Sequence, residues 1–170
     1  NKSAFAGVWT AIATPFTSKL DVDYSGFKRL LKMQADAGVK GVVVSGTTGE
    51  APTLTNEEKL ELVKIARQSL PPAIRVMAGT GGNDTRTSVE LSKAAMQAGA
   101  DSLLIVTPPY NKPNMAGMHL HYRTIAQAVQ APICLYHVPG RTAQRLTAEQ
   151  MCELTKIPHV VAIKEASADL

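Results

Sequence analysis

The stretch Ala37-Gly38-Val39-Lys40-Gly41-Val42-Val43-Val44-Ser45-Gly46-Thr47-Thr48-Gly49-Glu50 holds, in order, a helix stop, an apolar run and a polar loop. Ala37-Gly38 puts a glycine where a helix C-terminus favours a left-handed residue. Gly41 to Ser45 is short, β-branched and apolar on both faces, as a strand covered on two sides should be. From Ser45 to Glu50 the chain turns polar and glycine-rich.

Runs of this kind recur at intervals of about 30 residues. They are Val8 to Ala13, Ile74 to Ala78, Ser102 to Val106, Ile133 to Tyr136 and Val160 to Ile163. Helical patterns lie between them. Thr55 is placed as an N-cap, and Glu58 three residues on completes a capping box. Leu60, Val63 and Leu70 fall on or near one face of that helix. Ala98-Gly99 stops another helix, and Thr147 with Gln150 opens a fifth with the same capping-box spacing.

Six strands alternating with five helices predict an α/β fold with a parallel sheet. A doubly wound open sheet and a (β/α)8 barrel both satisfy that pattern. Gly79-Thr80-Gly81-Gly82-Asn83-Asp84 begins like a dinucleotide fingerprint but has Asp84 where the last glycine belongs, so it reads as a tight βα turn.

Composition narrows the function classes. With 45% apolar and 19% charged residues the chain is an ordinary globular one rather than a disordered one. No apolar stretch approaches the roughly 20 residues that span a bilayer. Asn1 to Phe5 lacks the apolar segment of a signal peptide. A net charge of +4 on scattered basic residues, with 5% aromatics, leaves no nucleic-acid footprint. Cys134 and Cys152 form no CxxC pair and read as reduced core thiols in a cytoplasmic protein. No metal site is expected: His119 and His121, two apart in a helical segment, do not share a face.

Polar residues gather where the strands end: Ser45 to Glu50, Thr107 to Asn111, Tyr136 to Thr142, and Lys164-Glu165. In a parallel α/β protein those ends share one rim, where active sites are built. Alternation puts Ala162 and Lys164 on one face of the last strand, and Cys134 and Tyr136 on one face of the strand before it. If both faces point inward, an amine and a phenol meet in a nearly dry mouth. Burial disfavours the ammonium. Lowering a lysine from about 10.4 to roughly 7–8 takes about 4 kcal/mol and makes the amine a nucleophile. A neutral amine beside a phenol suggests Schiff-base chemistry on a carbonyl substrate. In Gly46-Thr47-Thr48-Gly49 the two glycines let the backbone turn tightly, so that N–H groups and threonine hydroxyls face a small anion such as a carboxylate.

The motifs Gly46–Glu50 (GTTGE), Ala78–Thr85 (AGTGGNDT), Thr107–Pro113 (TPPYNKP), Tyr136–Thr142 (YHVPGRT) and Ile163–Ser167 (IKEAS) stand in this order. In them the chain closely resembles the dihydrodipicolinate synthase/N-acetylneuraminate lyase family of class I pyruvate aldolases. The resemblance selects the (β/α)8 barrel and implies that Lys164 forms an imine with pyruvate, without a cofactor. It gives Thr48, with Thr47 and Gly46, to the pyruvate carboxylate. Tyr136 becomes the proton shuttle, in a relay with Thr47 and with Tyr110, which the family donates across a subunit interface. A homo-oligomer, usually a homotetramer, follows by the same analogy.

Arg141 points to the synthase branch, where this arginine binds the carboxylate of aspartate semialdehyde; a guanidinium suits that group. The activity implied is condensation of pyruvate with aspartate 4-semialdehyde to 4-hydroxy-tetrahydrodipicolinate, the first committed step of diaminopimelate and lysine biosynthesis. A sugar-acid lyase of the family, or an inactive paralogue used for binding or assembly, is the alternative. His137 stands where the synthases usually carry asparagine, and alternation turns it away from Tyr136. Some members bind lysine through a histidine pair and an acid; those positions read Asn56, Lys59 and Thr87 here, and only Asn83 matches. Weak or absent lysine inhibition is expected. A complete barrel takes about 250 residues. Residues 1–170 are therefore expected to be one catalytic barrel domain, C-terminally truncated and incomplete at about six strands.

Overall fold

The computed structural model describes residues 5–168, so the reading of the N-terminal residues before Phe5 lies outside it. The described residues form two compact units: residues 5–79 with 94–102, and residues 80–93 with 103–168.

The first unit runs β1 (Trp9–Ala11), α1 (Tyr24–Asp36), β2 (Gly41–Val44), α2 (Asn56–Ser69) and β3 (Arg75–Gly79). Its strands pair in parallel and in chain order, Thr10 opposite Val42 and Val42 opposite Val76. All of β2 is buried. The predicted Thr55–Glu58 capping box is present in both directions, with bonds of 3.2 and 2.8 Å. Leu62, Val63, Ile65 and Ala66 form the buried face of α2, and Leu70 just beyond it is buried too, while Leu60 is only half-buried. Gly38 and Gly99 take the left-handed backbone expected after helices, at φ +72 and +103. The Asp101 carboxylate accepts from Arg67, Arg75 and the Val76 N–H at 2.9–3.1 Å, which pins the start of β3.

The second unit holds most of α3 (Thr85–Gln97), then β4 (Ser102–Val106), α4 (Met115–Val129), β5 (Ile133–His137), α5 (Pro139–Thr142), α6 (Ala148–Leu154) and β6 (Val160–Glu165). Its strands are again parallel and in chain order. Thr147 and Gln150 make the second predicted capping box. The polar stretch Pro139–Thr142, read from sequence as a strand end, is a short helix, with proline at its start as helix geometry favours. No helix among the described residues is long and apolar enough to cross a membrane.

The two histidines of α4 part as their spacing predicts. His119 is half-buried and His121 is 5% exposed. His121 Nδ1 lies 2.8 Å from the Thr85 hydroxyl, and its Nε2 has no partner among the described residues. Burial holds this imidazole down from 6.5 to about 4, against a weaker upward pull from Asp84. The folded state therefore keeps His121 neutral while the unfolded chain takes up a proton. Between about pH 6.5 and 4 the unfolded state binds more protons, and stability falls as pH falls. The full span corresponds to about 3 kcal/mol. Denaturant titrations of wild type and His121→Gln across this range are expected to show the wild type losing more stability towards pH 4, by up to about that amount. Parallel losses in the two proteins would refute it.

Candidate active site

In the second unit the pairing of β5 with β6 builds the site. Cys134 lies opposite Ala162, Tyr136 opposite Lys164 and His137 opposite Glu165. The register shifts between Ile133 and Cys134, because Ile133 still pairs with Val160. Lys164 Nζ sits 4.3 Å from the centroid of the Tyr136 ring, within cation–π range. The structure thus brings together the amine and the phenol that strand parity placed on matching faces. Tyr136 is 6% exposed. Lys164 is half-buried, so the nearly dry mouth expected from sequence is not formed around it by the described residues.

Below this pair the Cys134 thiol is buried and pushed up to about 11, burial outweighing the downward pull of Lys164. It is a neutral thiol under the amine. The Thr107 N–H donates to the Tyr136 carbonyl at 2.9 Å, and the Thr107 hydroxyl is buried without a partner among the described residues.

His137 behaves as alternation predicted, turned from Tyr136 and 1% exposed. Its ring contacts are fuller than sequence could tell. Nδ1 lies 2.9 Å from Glu165 Oε2, and Nε2 accepts the Leu146 N–H at 2.9 Å. The Glu165 carboxyl sits below its ordinary range: burial pushes it up, but bonds from Ser167 and His137 outweigh that.

Arg141 is exposed on α5. Tyr110 is 88% exposed on the loop after β4, at the left-handed φ of +69. Beside it the Asn111 side-chain amide donates to the Asn83 carbonyl at 2.8 Å.

The first unit carries the loop after β2. The N–H groups and hydroxyls of Thr47 and Thr48 find no hydrogen-bond partner among the described residues, so they stand free as donors. Thr47 is half-buried and Thr48 exposed. Sequence reading gave the tight turn to Gly46 and Gly49. The left-handed residues are instead Ser45 at φ +53 and Glu50 at φ +55. Gly49 serves close approach: a Cβ there would lie 3.2 Å from the Ile12 carbonyl, and Gly49 already accepts the buried Thr14 hydroxyl at 2.7 Å. Gly79 at the end of β3 is stricter, since a Cβ there would lie 2.2 Å from the Ser45 carbonyl and drive the loop off its strand.

The positions read as a lysine site hold exposed Asn56, Asn83 and Thr87 and half-buried Lys59. Burial lowers the Lys59 ammonium from its ordinary value.

The profile described as the Dihydrodipicolinate synthetase family matches residues 4–170. A 4-hydroxy-tetrahydrodipicolinate synthase of Salinibacter ruber is 49% identical over 98% of this chain and 55% of its own length. Two solved structures are close. The chloride-inhibited dihydrodipicolinate synthase of Acinetobacter baumannii, complexed with pyruvate, has a TM-score of 0.93 at 42% identity, over 96% of this chain and 56% of its own. The enzyme from Cyanidioschyzon merolae with lysine bound has a TM-score of 0.93 at 40% identity, over 98% and 57%. The chain spans about half the length of the curated relatives it matches. Its six strands and their helices make an α/β fold, an incomplete (β/α)8 barrel. With the profile covering nearly all of it, the chain belongs to the dihydrodipicolinate synthetase family.

Proposed function

We propose that the chain carries the imine-forming site of a 4-hydroxy-tetrahydrodipicolinate synthase, acting on pyruvate and aspartate 4-semialdehyde. The observation that carries this is the Lys164 amine held 4.3 Å from the Tyr136 ring centroid where β5 and β6 end. In this reading the neutral amine attacks the keto carbon of pyruvate. Water leaves and an imine forms, so the organic chemistry needs no cofactor. Loss of a methyl proton gives an enamine, whose carbon attacks the aldehyde. Ring closure by the amino group of the second substrate on the imine carbon frees Lys164. Tyr136 moves the protons.

Thr47, Thr48 and Gly46 receive the pyruvate carboxylate, which matches the unpaired donors of the two threonines. Arg141, exposed and cationic, takes the carboxylate of the second substrate. Tyr110 is too exposed to be packed by its own loop, which supports its donation to a second subunit of a homotetramer. The reading treats residues 1–170 as one catalytic domain of a cytoplasmic enzyme of diaminopimelate and lysine biosynthesis.

Three outcomes are expected of the full-length protein. Borohydride reduction in the presence of pyruvate leaves the adduct on Lys164, mapped by mass spectrometry, and Lys164→Arg traps none. A folded wild type with Lys164 unmodified would sink the reading and favour a binding or assembly role. In steady-state kinetics Arg141→Ala raises KM for aspartate semialdehyde by roughly 10–100-fold, the worth of a charged hydrogen bond, and leaves pyruvate trapping unchanged. An unchanged KM would remove Arg141 from recognition and reopen the sugar-acid reading. Free lysine inhibits weakly or not at all, since Asn56 and Lys59 replace a histidine pair. Half-maximal inhibition at sub-millimolar lysine would refute that.

A further inference from the structure

We propose that His137 is a positioning residue of the imine-forming site, tying Glu165 at the end of β6 to Leu146 and so fixing the backbone on either side of Lys164 and Arg141. The proposal rests on the function proposed above.

The ring is 1% exposed and both its nitrogens are engaged. The Leu146 N–H can only donate, so Nε2 must present its lone pair. A neutral imidazole then carries its proton on Nδ1. That proton points at the Glu165 carboxylate, 2.9 Å from Oε2 and 3.2 Å from Oε1. The tautomer is set by the two partners together. With one nitrogen donating and the other accepting, neither is free to take a proton from substrate, which excludes His137 as a general base.

What the ring holds is the backbone near the chemistry. Glu165 follows Lys164 directly. The same carboxylate accepts the Ser167 N–H at 2.5 Å, and the His137 carbonyl accepts the Ala166 N–H at 2.9 Å. The segment after Lys164 is therefore gripped by the side chain and the main chain of one residue. On the other side Leu146 closes the segment that follows α5. There the Thr142 hydroxyl donates to the Val138 carbonyl and accepts the Gln144 N–H. Arg141 lies on α5 itself, directly before Thr142. Among the described residues, no side chain on β5 other than His137 makes hydrogen bonds both to β6 and to the approach to α6.

The test compares wild type, His137→Ala, Glu165→Ala and Glu165→Gln in the full-length protein. Nitrogen-15 NMR of the imidazole is expected to show Nδ1 protonated and Nε2 bare at neutral pH; the opposite tautomer overturns the proposal. The rate of borohydride-trappable imine at saturating pyruvate is expected to fall by roughly tenfold or more in His137→Ala and Glu165→Ala, because small displacements of a nucleophile are costly. Half-saturating pyruvate should change little. Glu165→Gln keeps an oxygen for the Nδ1–H and should recover most of the rate. A folded His137→Ala with the wild-type trapping rate overturns the proposal, as does Glu165→Gln no faster than Glu165→Ala. If His137→Ala does not fold, the Glu165 pair decides alone. Wild type that traps no pyruvate sinks the underlying function, and the positioning role with it, while the nitrogen shifts still report the tautomer.

Discussion

The register of β5 against β6 is the constraint on which the site depends. Ile133 pairs with Val160, and an unshifted ladder would set Tyr136 opposite Ile163 and His137 opposite Lys164. One irregularity after Ile133 skips Val161, which is left 49% exposed. Every later pair moves by one residue. The phenol then faces the amine, and the histidine faces the carboxylate. A shift of one position exchanges the faces that strand side chains occupy, so this single irregularity decides which groups meet.

The two pairs made by that register differ in kind. Lys164 over Tyr136 is a loose contact of a half-buried amine with a ring, and it leaves the nitrogen's hydrogens unclaimed by oxygen acceptors among the described residues. His137 with Glu165 is a saturated contact, each partner bonded again elsewhere. The amine is free and its neighbour is fixed. On the function proposed above, that division suits a nucleophile, which must change partners while its backbone stays in place.

Much of this was legible in the sequence because it follows from local rules. Capping boxes at Thr55 and Thr147 and glycine stops at Gly38 and Gly99 depend on neighbours a few residues away, and all four are present. Alternation put Lys164 on the face of Ala162 and Tyr136 on that of Cys134, and the shifted register then brought the two together. The His137–Glu165–Leu146 bonds were not legible. Their partners lie 28 and 9 residues away, and only the shifted register brings Glu165 opposite the ring. The turn after β2 was misassigned for a related reason. Glycine is the usual left-handed residue, but Ser45 and Glu50 take that conformation, held by bonds such as Glu50 N–H to the Thr47 carbonyl.

Those two residues belong to a wider pattern within each unit. Nine non-glycine residues have positive φ among the described residues, and Ser45, Glu50, Tyr110, Lys112 and Ala168 follow the C-terminal ends of strands, while Ala143 caps α5. Such a conformation costs an L-residue roughly 1–2 kcal/mol. The buried hydroxyls of Ser45 and Thr107, unpaired among the described residues, sit at the ends of β2 and β4. Each adds about 1–3 kcal/mol when no partner is supplied. Polar groups also lack partners elsewhere, at Trp9, Thr10 and Ser102, so an orphan alone marks nothing. Strain and unpaired donors gather together after β2 and after β4, each within its own unit, and backbone strain of this kind is what folds keep at functional loops.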